Sequence, residues 1–249
     1  MKKKHQDQSN SNIALKTDTS PIIPQRSKLK TELRIKENFI FSEKQKEFIK
    51  LALDKNTKII FVSGPAGSAK SYLSIYAALT LLNEHRVSDL IYVRSIVESA
   101  SSKIGYLPGE LESKISPYME VLYDKMAELL SKNEIDMLLK ENRVNTIPIS
   151  FLRGLNWNAK VIIGDEAQNM TTHELITLIT RVGEYSKMFI LGDGMQSDIN
   201  GKSGFLGLIS KFDDDESKSQ GIHVFKLTEE DIVRSKLVKY IVNKLNRSI

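Results

Sequence analysis

The octapeptide Gly64-Pro65-Ala66-Gly67-Ser68-Ala69-Lys70-Ser71 sets two glycines, a lysine and a terminal hydroxyl between a short apolar run and a helical one. Such a stretch suits an anion. Glycine lets the backbone wrap closely, successive N–H groups point inward, and a helix amino terminus adds a favourable dipole. Lys70 can reach the β- and γ-phosphates of a nucleotide, and the Ser71 hydroxyl is placed to ligate Mg²⁺. The spacing is that of G-x-x-x-x-G-K-[ST], except that Ala69 stands at the second required glycine. The added methyl bears on both turnover and nucleotide affinity.

Two further segments carry chemistry at the ends of apolar runs. In Val161–Asn169 (VIIGDEAQN) four apolar or small residues lead into adjacent carboxylates. Ligands gather beyond the carboxyl ends of parallel strands, so Asp165 would hold Mg²⁺ through water and Glu166 would act as general base toward an attacking water. A DE pair at a strand end is also an ordinary solvated turn; the phosphate loop upstream and the Ala167-Gln168 that follow favour catalysis. In Phe189–Asp198 (FILGDGMQSD) a strand again ends in Gly192-Asp193, and Gln196 lies where it could sense a γ-phosphate or orient water. The plain alternative there is a turn held by Asp193.

Smaller signals are weaker. Gln45 is placed either to read adenine or to sit in solvent on its helix, and Trp157 reads as core or interface rather than as a base-stacking platform. The four histidines show no metal-ligand spacing, and Asp213–Glu216 (DDDE) reads as a solvated loop.

The elements that must position these residues follow from periodicity. A helix is expected from Ser42, a plausible N-cap by type, to Leu53, with Phe48, Ile49, Ala52 and Leu53 on one face. Short apolar runs at 58–63, 89–93, 144–149, 160–163, 188–191 and 222–225 read as buried strands, with helices at 71–82, 121–130, 171–181 and from 229 onward. Strands alternating with helices imply right-handed crossovers and a parallel sheet covered on both faces.

Composition narrows the class. The chain has 249 residues, 41% hydrophobic, and no cysteine, which excludes disulfides, thiolate metal sites and a cysteine nucleophile. No apolar run approaches the eighteen or so residues of a membrane span, and the opening MKKKHQDQSNSN lacks the apolar stretch of a secretory signal, so a cytoplasmic protein is expected. The net charge of +5 is uneven: residues 1–36 hold nine Lys or Arg against three acids, leaving the remainder nearly neutral. This arm, 1–36, is expected to be a disordered basic tail, either simply solvated or touching nucleic-acid phosphates, ahead of a folded domain at 37–249.

Taken in order, the motifs resemble the PhoH-like family of P-loop ATPases, which is similar to the first core domain of superfamily 1 helicases. The resemblance runs from about Phe41 to Val242 and takes in GPAGSAKS with the helix after it, Tyr92–Asp124, IPISFLRGLNW, DEAQN, LITRVGEYSKMFILGD and DIVRSKLV. Within Tyr92–Asp124, Arg94, Glu98, Gly105, Pro108, Gly109, Pro117 and Asp124 fit the family pattern. Ala69, Ser102 where an acid is usual, and Ser235-Lys236 in place of a His-Pro pair depart from it. The shortness of the chain is similar to the compact, stand-alone form common in phages.

The resemblance implies a RecA-like P-loop NTPase fold of the α/β class, with a mostly parallel sheet and helices on both faces. It implies ATP held by residues 64–71 and Gln45, Mg²⁺ at Ser71 and Asp165, and slow hydrolysis by Lys70, Glu166 and Gln196. It also implies coupling to RNA or single-stranded DNA in a bacterial or phage-infected cytoplasm. A nucleotide-gated binding or assembly protein with little hydrolysis stays open, as does a small-molecule kinase. A helicase closes its ATP site with an Arg from a second core domain, and only one is expected here. A neighbouring subunit of a homo-oligomeric ring, such as a hexamer, would then supply it, with Arg153 and Arg234 favoured over Arg181.

Overall fold

In the computed structural model, residues 28–36, 40–95, 111–152, 156–194, 196–199 and 201–232 are described, residues 111–118 by their backbone alone. Six short strands build the sheet: β1 (Ile59–Ser63), β2 (Asp89–Arg94), β3 (Val144–Pro148), β4 (Lys160–Asp165), β5 (Lys187–Gly192) and β6 (Ile222–Lys226). Every pairing is parallel, and the order is β3-β2-β4-β5-β1-β6. The central strands are continuous apolar runs because they are covered on both sides; β5 is buried along its whole length.

Alternation along each strand divides the core. Ile60 and Val62, Leu90 and Tyr92, Val161 and Ile163, and Phe189 and Leu191 face one layer, made of α1 (Glu43–Leu53), α2 (Lys70–Asn83), α3 (Leu111–Ala127) and α4 (Lys132–Lys140). Ile59 and Phe61, Ile91 and Val93, Ile162, and Met188 and Ile190 face the other, which includes α5 (Thr172–Ile179) and α6 (Phe205–Phe212). This is the doubly covered α/β arrangement expected, and Trp157, 4% exposed, lies in the second core.

The strand order matters for function. β5 lies between β1, which leads into the glycine loop, and β4, which ends in the carboxylates. Parallel register brings Ser63 beside Gly192, and Arg94 beside Asp165, so the strands deliver their carboxyl ends to one edge of the sheet. Gly192 is needed there for a close approach, since a Cβ would lie 2.4 Å from the Phe205 ring.

Two expectations need correcting. The basic tail does not stay solvated to residue 36. Leu29 and Leu33 are buried in the first core, and Leu33 exchanges two hydrogen bonds with the Asn83 side chain, at 2.7 and 2.9 Å. Lys36 donates from its backbone to Leu129 O, and from Nζ to Ala127 O and Leu130 O. The Arg143 guanidinium donates to Lys28 O. Residues 28–36 therefore form a strap across α2, α3 and α4, because two leucines at an interval of four and a run of main-chain partners outweigh the local charge. The rest of the tail lies outside the described residues.

The acidic run 213–216 is solvated but is not a loop. Asp214 caps a short helix, α7 (Asp215–Ser219), by accepting from Ser217 N. Beyond Asp231 the expected C-terminal helix falls outside the described residues, apart from Ile232. No helix among the described residues is long and apolar enough to cross a membrane.

Candidate functional site

The glycine loop leaves β1 and turns into α2 with two residues in left-handed backbone, Gly67 at φ 85° and Ala69 at φ 64°. Gly67 takes that conformation freely, whereas the Ala69 Cβ meets the backbone there, at a cost of roughly 1–2 kcal/mol. Ala69 is also the N-cap of α2 and makes no side-chain cap, so the first amides of the helix stay available to an anion.

Lys70 folds back over the loop. Its Nζ donates to Gly64 O at 2.6 Å and to Pro65 O at 2.9 Å. Burial lowers the pKa of this ammonium below the usual lysine value, while the carboxylates of Asp193, Asp165 and Glu166 pull it the other way. One residue on, Ser71 Oγ donates to Asp165 Oδ2 at 3.0 Å across a sequence separation of 94 residues.

Asp165 is 5% exposed, and both of its oxygens accept hydrogen bonds. Oδ2 also accepts from the Tyr92 hydroxyl, and Oδ1 accepts from Glu166 N at 3.0 Å. Burial, followed by the charge of Asp165 and the hydrogen bond to it, raises the Tyr92 phenol above its ordinary pKa, so Tyr92 acts as a donor.

Glu166 adopts a left-handed backbone with φ 56°, which turns its side chain out of the strand direction. Its Oε2 accepts from Gln168 Nε2 at 2.6 Å, and its Oε1 lies 3.7 Å from Arg94 Nη2. Gln168 is held in turn, its Oε1 accepting from Asp193 N at 3.0 Å, and Asp193 Oδ2 accepts from Ala66 N at 3.0 Å. A line of hydrogen bonds thus runs from the loop through Asp193 and Gln168 to Glu166.

These groups surround one cavity of about 400 Å³. Lys70, Ser71, Asp165, Glu166, Asp193 and Gln196 line it, so every described catalytic or metal residue expected from sequence meets there. Among the loop residues, Ala66, Gly67 and Ala69 line it as well; Gly64, Pro65 and Ser68 shape it from behind, with Ser68 Oγ donating to Pro65 O at 2.8 Å.

Gln45 also borders the cavity, buried rather than solvated. It completes a capping box: Ser42 Oγ accepts from Gln45 N, and Gln45 Oε1 accepts from Ser42 N at 3.0 Å. Phe41 packs edge-on to Tyr76 beside it. Arg153 and Arg234 lie outside the described residues. Arg181, just past α5, lies away from the cavity: its Nε donates to Thr177 O of that helix, and its carbonyl accepts from Trp157 N near the starts of β4 and β5.

Tyr92, Arg94 and Gln168 were not assigned site roles by sequence. A tyrosine inside an apolar strand signals that its hydroxyl needs a partner, and an arginine closing that strand has to find a counter-charge. Oxygen donors alone, one hydroxyl and one carboxylate, suit Mg²⁺, which keeps several waters and takes its remaining ligands from phosphates. Among the described residues, no group of three or more His, Cys, Asp or Glu is placed to hold a metal ion.

Comparison with known proteins bears on this site. A family model described as PhoH-like protein matches residues 40–246. A PhoH-like protein of Mycobacterium tuberculosis is 36% identical over 205 residues, covering 82% of this chain and 56% of its own length. One from Bacillus subtilis is 31% identical over 204 residues, covering 82% and 62%. Protein PhoH of Escherichia coli is 30% identical over 200 residues, covering 79% and 54%. The chain thus spans little more than half the length of the curated relatives it matches. Among solved structures, the Pif1 helicase from Candida albicans covers 84% of this chain and 44% of its own, at 19% identity and a TM-score of 0.40.

Proposed function

The chain belongs to the PhoH-like protein family, and on that premise we propose that it binds ATP with Mg²⁺ and hydrolyses it, coupled to RNA or single-stranded DNA. Membership of that family supports a nucleotide-binding P-loop NTPase domain. One observation carries the reading: Ser71 and Asp165, from two separate motifs, meet at 3.0 Å on the rim of a cavity that also holds Lys70 and Glu166.

In this reading the triphosphate lies along the loop, and Lys70 leaves its two carbonyl partners for the β- and γ-oxygens. Ser71 and Asp165 would hold Mg²⁺, which supplies positive charge at those oxygens when bound. Gln196 orients a water in line with the γ-phosphorus. The water oxygen bonds to that phosphorus as the bond to the β–γ bridging oxygen breaks. Glu166 takes the water's proton, and the products are ADP and inorganic phosphate, the proton passing on to solvent. Gln168 keeps Glu166 in place throughout. Gln45 and Phe41 stand where the base would lie.

The nucleic-acid partner is supported by the excess of basic residues in 1–36 and by the family resemblance, and a cytoplasmic homo-oligomeric ring with an arginine in trans by that resemblance alone. Binding without turnover is the second reading, supported by Ala69 in left-handed backbone and by the ion pair on Glu166.

Phosphate release, measured with and without RNA and single-stranded DNA, tests both readings. Glu166→Gln is expected to lower turnover roughly 10²–10⁴-fold while sparing ATP binding. Lys70→Ala is expected to weaken binding itself. Equal release by wild type and Glu166→Gln sinks the catalytic assignment, and rates indifferent to either nucleic acid sink the coupling.

A further inference from the structure

Arg94 closes β2, and strands on both sides hold its backbone in register, with Asp165 of β4 on one side and Pro148 of β3 on the other. The next residue is tied as well, Ser95 Oγ donating to Asn169 O at 2.9 Å. These ties hold the main chain at Arg94 on both sides, so the movement invoked below is that of the side chain. That side chain lines the nucleotide cavity, and Arg94 is the only arginine to do so among the described residues.

Its resting partner is a weak one. One Nη stands 3.7 Å from one Glu166 oxygen, against roughly 2.8 Å for a close charge-assisted pair, and the two side chains are 28% and 40% exposed. Glu166's other oxygen is gripped much more firmly, at 2.6 Å, by the buried Gln168 amide. Departure of Arg94 would therefore leave Glu166 where it is and bare only Oε1. A terminal phosphate carries nearly two charges to the carboxylate's one, and its oxygens match the planar guanidinium fork in pairs.

We propose that Arg94 exchanges Glu166 for the γ-phosphate when a nucleoside triphosphate binds, so that one side chain, acting within its own subunit, both neutralises the transferring group and uncovers the base. The proposal rests on the hydrolytic reading above and deepens it. Without triphosphate the pair keeps Glu166 occupied and suppresses idle proton traffic. With triphosphate the freed Oε1 faces the cavity and takes the water's proton. ADP, lacking the third phosphate, leaves the resting pair intact. A guanidinium supplied in cis is the alternative to the arginine in trans that the family resemblance implies.

The test uses the full chain as wild type, Arg94→Ala, Arg94→Lys, and Arg94→Ala mixed with Lys70→Ala. The readouts are phosphate release and the affinities for ADP and for a non-hydrolysable ATP analogue. Arg94→Ala is expected to bind ADP within about twofold of wild type, which also certifies its fold, and to lose roughly tenfold of the preference for the triphosphate analogue over ADP. Its turnover is expected to fall on the order of 10³-fold, with partial recovery in Arg94→Lys and none in the mixture. Faster or unchanged turnover in Arg94→Ala overturns the proposal, as does recovery in the mixture, which would place the arginine in trans. If wild type binds the analogue but releases no phosphate, the hydrolytic reading fails alone, and the analogue-to-ADP preference still decides whether Arg94 meets the γ-phosphate. An unchanged preference in Arg94→Ala overturns that contact.

Discussion

The Tyr92 phenol donates a hydrogen bond to Asp165 Oδ2, the same oxygen that accepts from Ser71. The phenol reaches it from within the apolar core beneath the site, and so fixes the carboxylate from below while Ser71 meets it from the loop side. Tyr92→Phe keeps the ring and deletes only this donor. Loss of a hydrogen bond to a buried charge is expected to cost about 2 kcal/mol, lowering the melting temperature by several degrees. An unchanged melting temperature would show that Asp165 does not depend on the phenol.

Ala69 occupies left-handed backbone at φ 64° where only glycine is at ease. Ala69→Gly is therefore expected to stabilise the protein by about 0.5–1 kcal/mol, even after the extra freedom that glycine gives the unfolded chain. Ala69→Val, branched at Cβ, is expected to destabilise it. Chemical denaturation of the three proteins orders them, and a glycine variant less stable than wild type contradicts the strain.

Which parts of this could be read from sequence depends on range. The strands stood out because parallel strands buried on both faces are nearly pure apolar runs, as in IIFV and MFIL, and the loop and the DE pair because each is a short contiguous motif at a strand end. The roles of Tyr92 and Gln168 were not legible, since Asp165 lies 73 residues from Tyr92 and Asp193 25 from Gln168, and both pairings depend on which strands are neighbours. Arg94 was visible only through the family resemblance. The strap was hidden for another reason: two leucines among many charged residues average out to a polar tail, although four residues of spacing and the Asn83 amide suffice to dock it.

Lys187, 6% exposed at the start of β5, donates to Asp54 O and to Thr57 O. Burial first, and then Arg86, lowers its pKa to about 8. Below that pH both folded and unfolded chains hold the proton. Between about 8 and the ordinary lysine value near 10.5 the unfolded chain keeps a proton that the folded chain has shed, so unfolding free energy from this group rises with pH across that window. The rise is expected to reach on the order of 2–3 kcal/mol. Lys187→Met should lack it, and parallel stability curves for the two proteins between pH 7 and 10.5 would rule it out.

The strap makes a prediction about truncation. A chain beginning at residue 28 keeps Leu29, Leu33 and the Asn83 exchange, and should melt like the full chain. A chain beginning at residue 37 loses two buried leucines and is expected to be less stable by about 2 kcal/mol or more. Leu33→Ala in the full chain should reproduce a large part of that loss. Equal melting of both truncations would mean that the contacts of 28–36 contribute nothing net.

The same nine residues reach further than stability. Val121, Lys125 and Glu128, in and just beyond α3, wall the nucleotide cavity, while Lys36 grips the main chain just past that helix and Leu33 grips the tail of α2, whose head is the phosphate loop. The strap thus ties the main chain beside one wall of the cavity to the far end of the helix that begins at the glycine loop. Removing residues 28–36 therefore takes support from the cavity wall as well as from the core.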